Sequence, residues 1–320
     1  MQNNSIIKNR IVYSGSAYPE IIRQPNKNGA LRISTEGVKS FLIENGYMEA
    51  SEAGRKDTPK EAIVQGVFHA FREGKLSLNA TKQTGVSNLT PVRLSTGLKG
   101  KLDDVPAIST ISLANDFCLA RMKNPDFVCA ECYVPASLRI DGILQYTQNL
   151  FVLTMAELPE AWIPVISLDP AVFPIIRLES FGDLASTIQA KNYLTIAKKN
   201  FAFSFGLWTK NPAVFASAVD LLGKPENLSA VWSASRINVM DPKAYIAKYS
   251  RYFDHFFLVA ETKEVANDLL SEAGYTSIPC KCGFHSCYNC QVCYHVTDIM
   301  TRLVELLRKQ PKKGKRKAHK

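Results

Sequence analysis

Cysteine spacing is where this chain announces chemistry. It has eight cysteines, and five of them, Cys280, Cys282, Cys287, Cys290 and Cys293, fall within fourteen residues. The N-terminal stretch MQNNSIIKNRIVYSGS lacks the basic-then-apolar order of a secretory leader, so the expected compartment is the cytoplasm. Thiols stay reduced there, and clustered cysteines read as metal ligands rather than disulfide partners. Cys287-x2-Cys290-x2-Cys293 repeats the tight spacing by which ferredoxins wrap three irons of one cubane, and Cys280 or Cys282 can supply a further ligand. Zinc is the alternative, with His285 or His295 completing a tetrahedral site. Zinc sites, however, usually pair two knuckles across a longer loop. The other three thiols, Cys118, Cys129 and Cys132, can bind three irons of a [4Fe–4S] cluster and leave the fourth open. A zinc site or a pair of buried cysteines would use the same residues. Eight thiols suit one open and one fully ligated cluster, or a single four-thiolate cluster joining both segments, and spacing alone leaves both arrangements open.

Charged residues follow an apolar run at Arg177, Glu179 and Asp183. Buried charge is costly unless paired, so this set is either an ion pair or a group facing a pocket. Trp208-Thr209-Lys210 can stack on and ground an anionic group, or cap a strand. Glu179 and Lys210 are the candidate catalytic residues, and Ser235 and Arg236 are candidate ligand contacts. The basic and aromatic residues from Tyr245 to Phe253 could stack on bases, but packing of an amphipathic helix explains their spacing more simply. No Gly-x-Gly-x-x-Gly turn, phosphate-binding loop or His-Glu-x-x-His helix occurs.

These residues need a scaffold, and composition indicates a globular one: 320 residues, 46% hydrophobic and 21% charged. No apolar stretch reaches the roughly 20 residues of a membrane span, so no membrane partner is expected. The net charge of +10 is concentrated in residues 308–320, which hold eight Lys or Arg; without them the chain carries +2. This polybasic tail is expected to be disordered and could anchor nucleic acid through its phosphates.

Residues 1–100 read as a helical region and connector. Ser34 precedes apolar positions at helical spacing, Gly46 marks a stop, and Thr58-Pro59-Lys60-Glu61 reads as a capping box opening a second helix that ends at Gly74. Residues 101–279 alternate strands and helices, which indicates an α/β fold, and we expect a six-unit partial (β/α) barrel. The strands are expected at 107–113, 174–178, 200–207, 228–233, 255–260 and 276–279, with a long helix over 134–155 in the first connection. Residues 280–307 are expected to hold the cysteine-rich segment and a last helix.

Residues 79–294 resemble the phage gene-product-88 domain family. The matching features are Ile111-Ser112-Leu113 before Cys118, Cys129-x2-Cys132-Tyr133, Arg177-Leu178-Glu179-Ser180-Phe181-Gly182-Asp183, Trp208-Thr209-Lys210 and the closing cysteines. The layout is also similar to radical S-adenosylmethionine enzymes, which have a cluster loop after strand one and a glycine-acid motif after strand two. That resemblance implies that Gly182 and Asp183 meet the amino group of S-adenosylmethionine, that Ser233, Ser235 and Arg236 meet its carboxylate, and that the C-terminal cysteines hold an auxiliary cluster. The first cysteine gap here is ten residues where that superfamily has three, and its glycine motif is reduced to Phe-Gly-Asp. The expected function is an iron–sulfur enzyme of this type, served by an electron donor. The alternative is a non-enzymatic protein, stabilised by iron–sulfur or zinc, that binds nucleic acid through its tail.

Overall fold

The computed structural model describes residues 11–12, 23–25, 31–53, 59–98, 100–239, 242–272, 276–280 and 286–307. Cys282, His285, Thr58 of the expected capping box and the tail 308–320 lie outside the described residues.

Two helices lead the chain into its core. Helix α1 (Thr35–Glu44) is capped by Ser34, whose hydroxyl accepts the Gly37 N–H at 2.9 Å. Helix α2 (Lys60–Glu73) starts behind Pro59 and stops at Gly74, whose left-handed backbone (φ 75°) no β-carbon hinders. Its buried face carries Ile63, Val64, Val67 and Phe71, and the Phe71 ring stacks on Phe151 at 6.1 Å. The N-terminal helices therefore share the main hydrophobic core with the sheet and its crossover helices. Residues 76–98 form a connector with little regular structure, so side chains must satisfy its backbone. Gln148 accepts from the Asn79 N–H at 2.7 Å and donates to the Pro91 carbonyl at 2.6 Å, while Asn149 accepts from the Arg93 N–H at 2.7 Å.

Seven strands form one parallel sheet: β1 (Ala107–Ile108), β2 (Ile175–Leu178), β3 (Ser204–Thr209), β4 (Leu228–Ile237), β5 (His255–Ala260), β6 (Ser277–Pro279) and β7 (Thr301–Leu306). Their spatial order is β6-β7-β5-β4-β3-β2-β1. The crossovers carry α3 (Asp116–Met122) and α4 (Ile140–Met155), then α5 (Thr187–Lys199), α6 (Pro212–Leu222), α7 (Lys243–Tyr249) and α8 (Lys263–Ser271). The α/β alternation thus matches the expected class.

Three details differ from the expectation. The strands number seven rather than six. The seventh occupies 301–306, where a helix was expected: both its edges are bonded, to β5 and to β6, and this outweighs the helical spacing of Leu303, Leu306 and Leu307. The helix expected over 134–155 is broken, because Leu138 and Arg139 are extended and the Leu138 carbonyl accepts from Lys60 Nζ at 2.7 Å.

Alternation divides the sheet into two faces. Ile176, Leu178, Phe205, Leu207, Ala230, Trp232, Phe256 and Leu258 point into the core shared with the crossover helices. The opposite face carries Arg177, Gly206, Trp208, Val231 and Ser233, with Arg177 beside Gly206 and Trp208 beside Val231. No helix among the described residues is long and apolar enough to cross a membrane.

Candidate functional site

The cysteine-rich segment folds onto this second face. The Cys280 N–H donates to the Val304 carbonyl at 2.7 Å, which fixes that residue just past β6. One helical turn, α9 (Cys287–Cys290), is followed by Gln291 in a left-handed conformation (φ 53°) and a 3-10 turn over Val292–Tyr294. These tight reversals turn Cys280, Cys287, Cys290 and Cys293 toward one cavity, which Val292 and Leu303 also line. The segment is moored at two points. The Tyr288 hydroxyl donates to the Val172 carbonyl at 2.8 Å, and the Tyr294 ring lies over Gly206 against Trp208, centroids 5.4 Å apart. A β-carbon on Gly206 would come within 2.7 Å of Tyr294, so only glycine permits this seat. Lys101 Nζ stands 3.7 Å from Cys280 Sγ and also pairs with Glu305. Burial pushes the Cys287 and Cys293 thiols up, and the Arg177 cation opposes it.

The other three cysteines gather at the strand ends. Asn115 caps α3 by accepting the Phe117 N–H at 3.0 Å, and its amide donates to the Asp183 carbonyl at 2.8 Å. This hold sets Cys118, which is buried, against the loop after β2. Cys129 lies in a 3-10 turn (Val128–Glu131) that Cys132 ends, with the Cys132 N–H donating to the Cys129 carbonyl at 3.1 Å. Burial raises the Cys118 thiol, with Asp183 and Cys129 adding to it, and raises the Cys129 thiol against the pull of Lys210. Lys210 is the cation common to both. Burial works against its charge, but Cys129, Asp183 and Cys118 outweigh that and raise its pKa.

The expected acidic site residues are already engaged. Glu179, only 3% exposed, accepts from Thr110 N–H (3.2 Å), Thr110 hydroxyl (2.9 Å), Gln189 amide (2.5 Å) and Tyr193 hydroxyl (2.5 Å). Its backbone is left-handed (φ 60°), a costly conformation for a residue with a β-carbon. Burial lifts its pKa to about 7, against the hydrogen bonds that favour the carboxylate. Asp183 staples β2 to β3, accepting from Thr209 hydroxyl (2.6 Å), Lys210 N–H (3.0 Å) and Leu184 N–H (2.8 Å). Gly182 lies so close to Thr110 and Glu179 that a β-carbon would stand 2.7 Å from the carboxylate. Neither carboxylate pairs with Arg177, whose Nε reaches the Glu179 backbone carbonyl at 3.3 Å.

Among the remaining candidates, Lys210 feels the charges of the three upstream cysteines, Ser233 lies buried on the second face of the sheet, and Ser235 accepts from Arg121 Nη1 at 2.8 Å. Arg236 is exposed, within the irregular end of β4 between Ser233 and Ile237, so it does not join them. The structure therefore brings the cysteines together in two sets, 118/129/132 and 280/287/290/293, whose strongest electrostatic contacts with other cysteines are internal. Among the described residues, no group of three or more His, Cys, Asp or Glu side chains is arranged to hold a metal ion. Sequence reasoning missed Lys101, Arg121, Thr110, Gln189, Tyr193 and Tyr294. Only Gln189 and Tyr193 carried a signal, since their i, i+4 spacing puts both on one helix face.

Comparison of the chain with protein-family models, with curated proteins and with solved structures gave no match.

Proposed function

We propose that this chain is an iron–sulfur protein of radical S-adenosylmethionine-like type. In this reading Cys280, Cys287, Cys290 and Cys293 hold an auxiliary cluster, and Cys118, Cys129 and Cys132 hold a [4Fe–4S] cluster with one open iron. The supporting observation is that four cysteines of the C-terminal segment line one cavity. An all-thiol donor set fits iron–sulfur chemistry, and zinc remains the alternative occupant. The scaffold reading is a partial (β/α) barrel, supported by parallel strands in unbroken order from β1 to β5, with the helix-packed core on one face. Lys101, just ahead of the β1 edge, reaches Glu305 on β7 near the opposite edge.

A cluster with an open iron supplies one-electron chemistry on a bound sulfonium. The chain's own residues set the surroundings. Lys210 places a positive charge beside three thiolates and stabilises them, while Ser233 is the polar contact on that face. Glu179 and Asp183 act by holding the strand-end loops in shape rather than by touching substrate, because their oxygens are taken. Anaerobic purification followed by iron, sulfide and zinc analysis tests the metal reading. An electron paramagnetic resonance signal that changes on adding S-adenosylmethionine supports the enzyme reading, and an unchanged signal removes it.

A second reading has one specific observation behind it. The cysteine-rich segment leads directly into β7, which sits between β5 and β6. A metal held by those thiols would pin the end of the sheet in place, and the protein would be a metal-stabilised binding protein using residues 308–320 on nucleic acid. Metal-loaded protein with no response to S-adenosylmethionine, but with salt-sensitive nucleic-acid binding, would favour this reading.

A further inference from the structure

We propose that Arg177, with Tyr294 beside it, forms a binding site for the phosphate or carboxylate group of a small molecule. The two side chains come from segments far apart in the chain. Arg177 lies beside Gly206 in the β2–β3 ladder, Trp208 follows on the same face, and Lys210 comes two residues later. The Tyr294 ring covers Gly206 from above.

Arg177 is held ready for a planar or tetrahedral oxyanion. Its guanidinium carbon lies 3.2 Å from the centre of the Trp208 ring, and Nε donates to the Glu179 carbonyl, so two contacts hold it in place. A guanidinium fixed in this way presents its edge N–H groups as a fork that matches oxyanions. No carboxylate among the described residues forms an ion pair with Arg177 or Lys210, and the two nearest, Glu179 and Asp183, are filled by other donors. The independent sign is Tyr294. Its hydroxyl is buried and lies against the Arg177 cation, a group that only donates, so its own O–H has no acceptor among the described residues. Buried hydroxyls are nearly always bonded, and an oxyanion on Arg177 would accept this one as well.

This inference stands whether or not the thiols hold metal. The test titrates the full-length protein with inorganic phosphate and, separately, with succinate, following tryptophan emission and calorimetric heat. The expected result is saturable binding of at least one, with a change in tryptophan emission that follows the heat. Arg177→Gln and Tyr294→Phe should each weaken binding by about tenfold, the usual loss of a hydrogen bond to a charged group. Tyr294→Phe keeps the ring packing, so it carries the test if Arg177→Gln misfolds. No saturable binding of either anion, binding unchanged in both variants, or equal displacement by chloride would overturn the proposal. Iron and sulfide content measured on the same samples reports on the metal reading separately, so either can fail without the other.

Discussion

Arg177 and Glu179, two residues apart at the end of one strand, do not pair through their charges. The arginine donates to the glutamate's backbone carbonyl and stacks on Trp208, while the carboxylate turns away to Thr110, Gln189 and Tyr193. A strand reverses side-chain direction at each step, and the left-handed backbone at Glu179 breaks that alternation. The result is a cation over the cysteine-covered face and an acid buried among hydrogen-bond donors.

That buried acid makes stability depend on pH. Its folded pKa of about 7 exceeds the ordinary value of 4.5, so the folded state holds its proton more tightly than the unfolded state. The contribution is full below about pH 4.5 and is lost as pH rises through about 7. At 1.36 kcal/mol per unit, the loss comes to roughly 3 kcal/mol. Denaturant titrations across this window should show the decline in the parent protein, and Glu179→Gln should flatten it. An unchanged slope in the variant would rule Glu179 out as the source.

Gly206 offers a way to disturb the C-terminal thiols without altering any of them. A methyl group there would meet the Tyr294 and Trp208 rings at 2.7 Å and push the segment off the sheet. Overpacking of this kind costs about 1–3 kcal/mol. Gly206→Ala should therefore lower the metal bound per chain while the free-thiol count rises. Equal metal content in parent and variant would show that this seat does not shape the site.

On the proposed metal reading, removing the metal should lower the melting temperature, because ligands that bind only the folded state stabilise it by mass action. Chelation or a Cys290→Ser/Cys293→Ser variant should cost on the order of 5 °C. A melting curve that ignores chelator would mean that the C-terminal thiols contribute no metal-linked stability.

Deleting residues 308–320 takes away eight positive charges. Under the nucleic-acid reading, binding should fall by about tenfold or more and lose most of its salt dependence. Mobility-shift measurements at two salt concentrations decide it: identical affinities with and without the tail would discard that role.

The strands were legible because each apolar run is short and bounded by turn residues, and all six expected runs hold a strand. The seventh was not, since Thr301–Leu306 carries helical leucine spacing and becomes a strand only by filling the gap between β5 and β6. Clustering of the cysteines could be read from spacing, but their division into two sets depends on how the chain returns across the sheet. The roles of Glu179 and Asp183 were hidden for the same reason. Thr110, Gln189 and Tyr193 lie 69 residues before and 10 and 14 residues after Glu179, and only the crossover brings them to its carboxylate.

Placing β7 between two strands made before it has a consequence for synthesis. Until residues 301–306 leave the ribosome, the β5 edge has no permanent neighbour on that side, and β6 has none at all. Open strand edges of this kind invite pairing with other nascent chains. Truncations just ahead of residue 301 should therefore collect in inclusion bodies even though most of the core sequence is present.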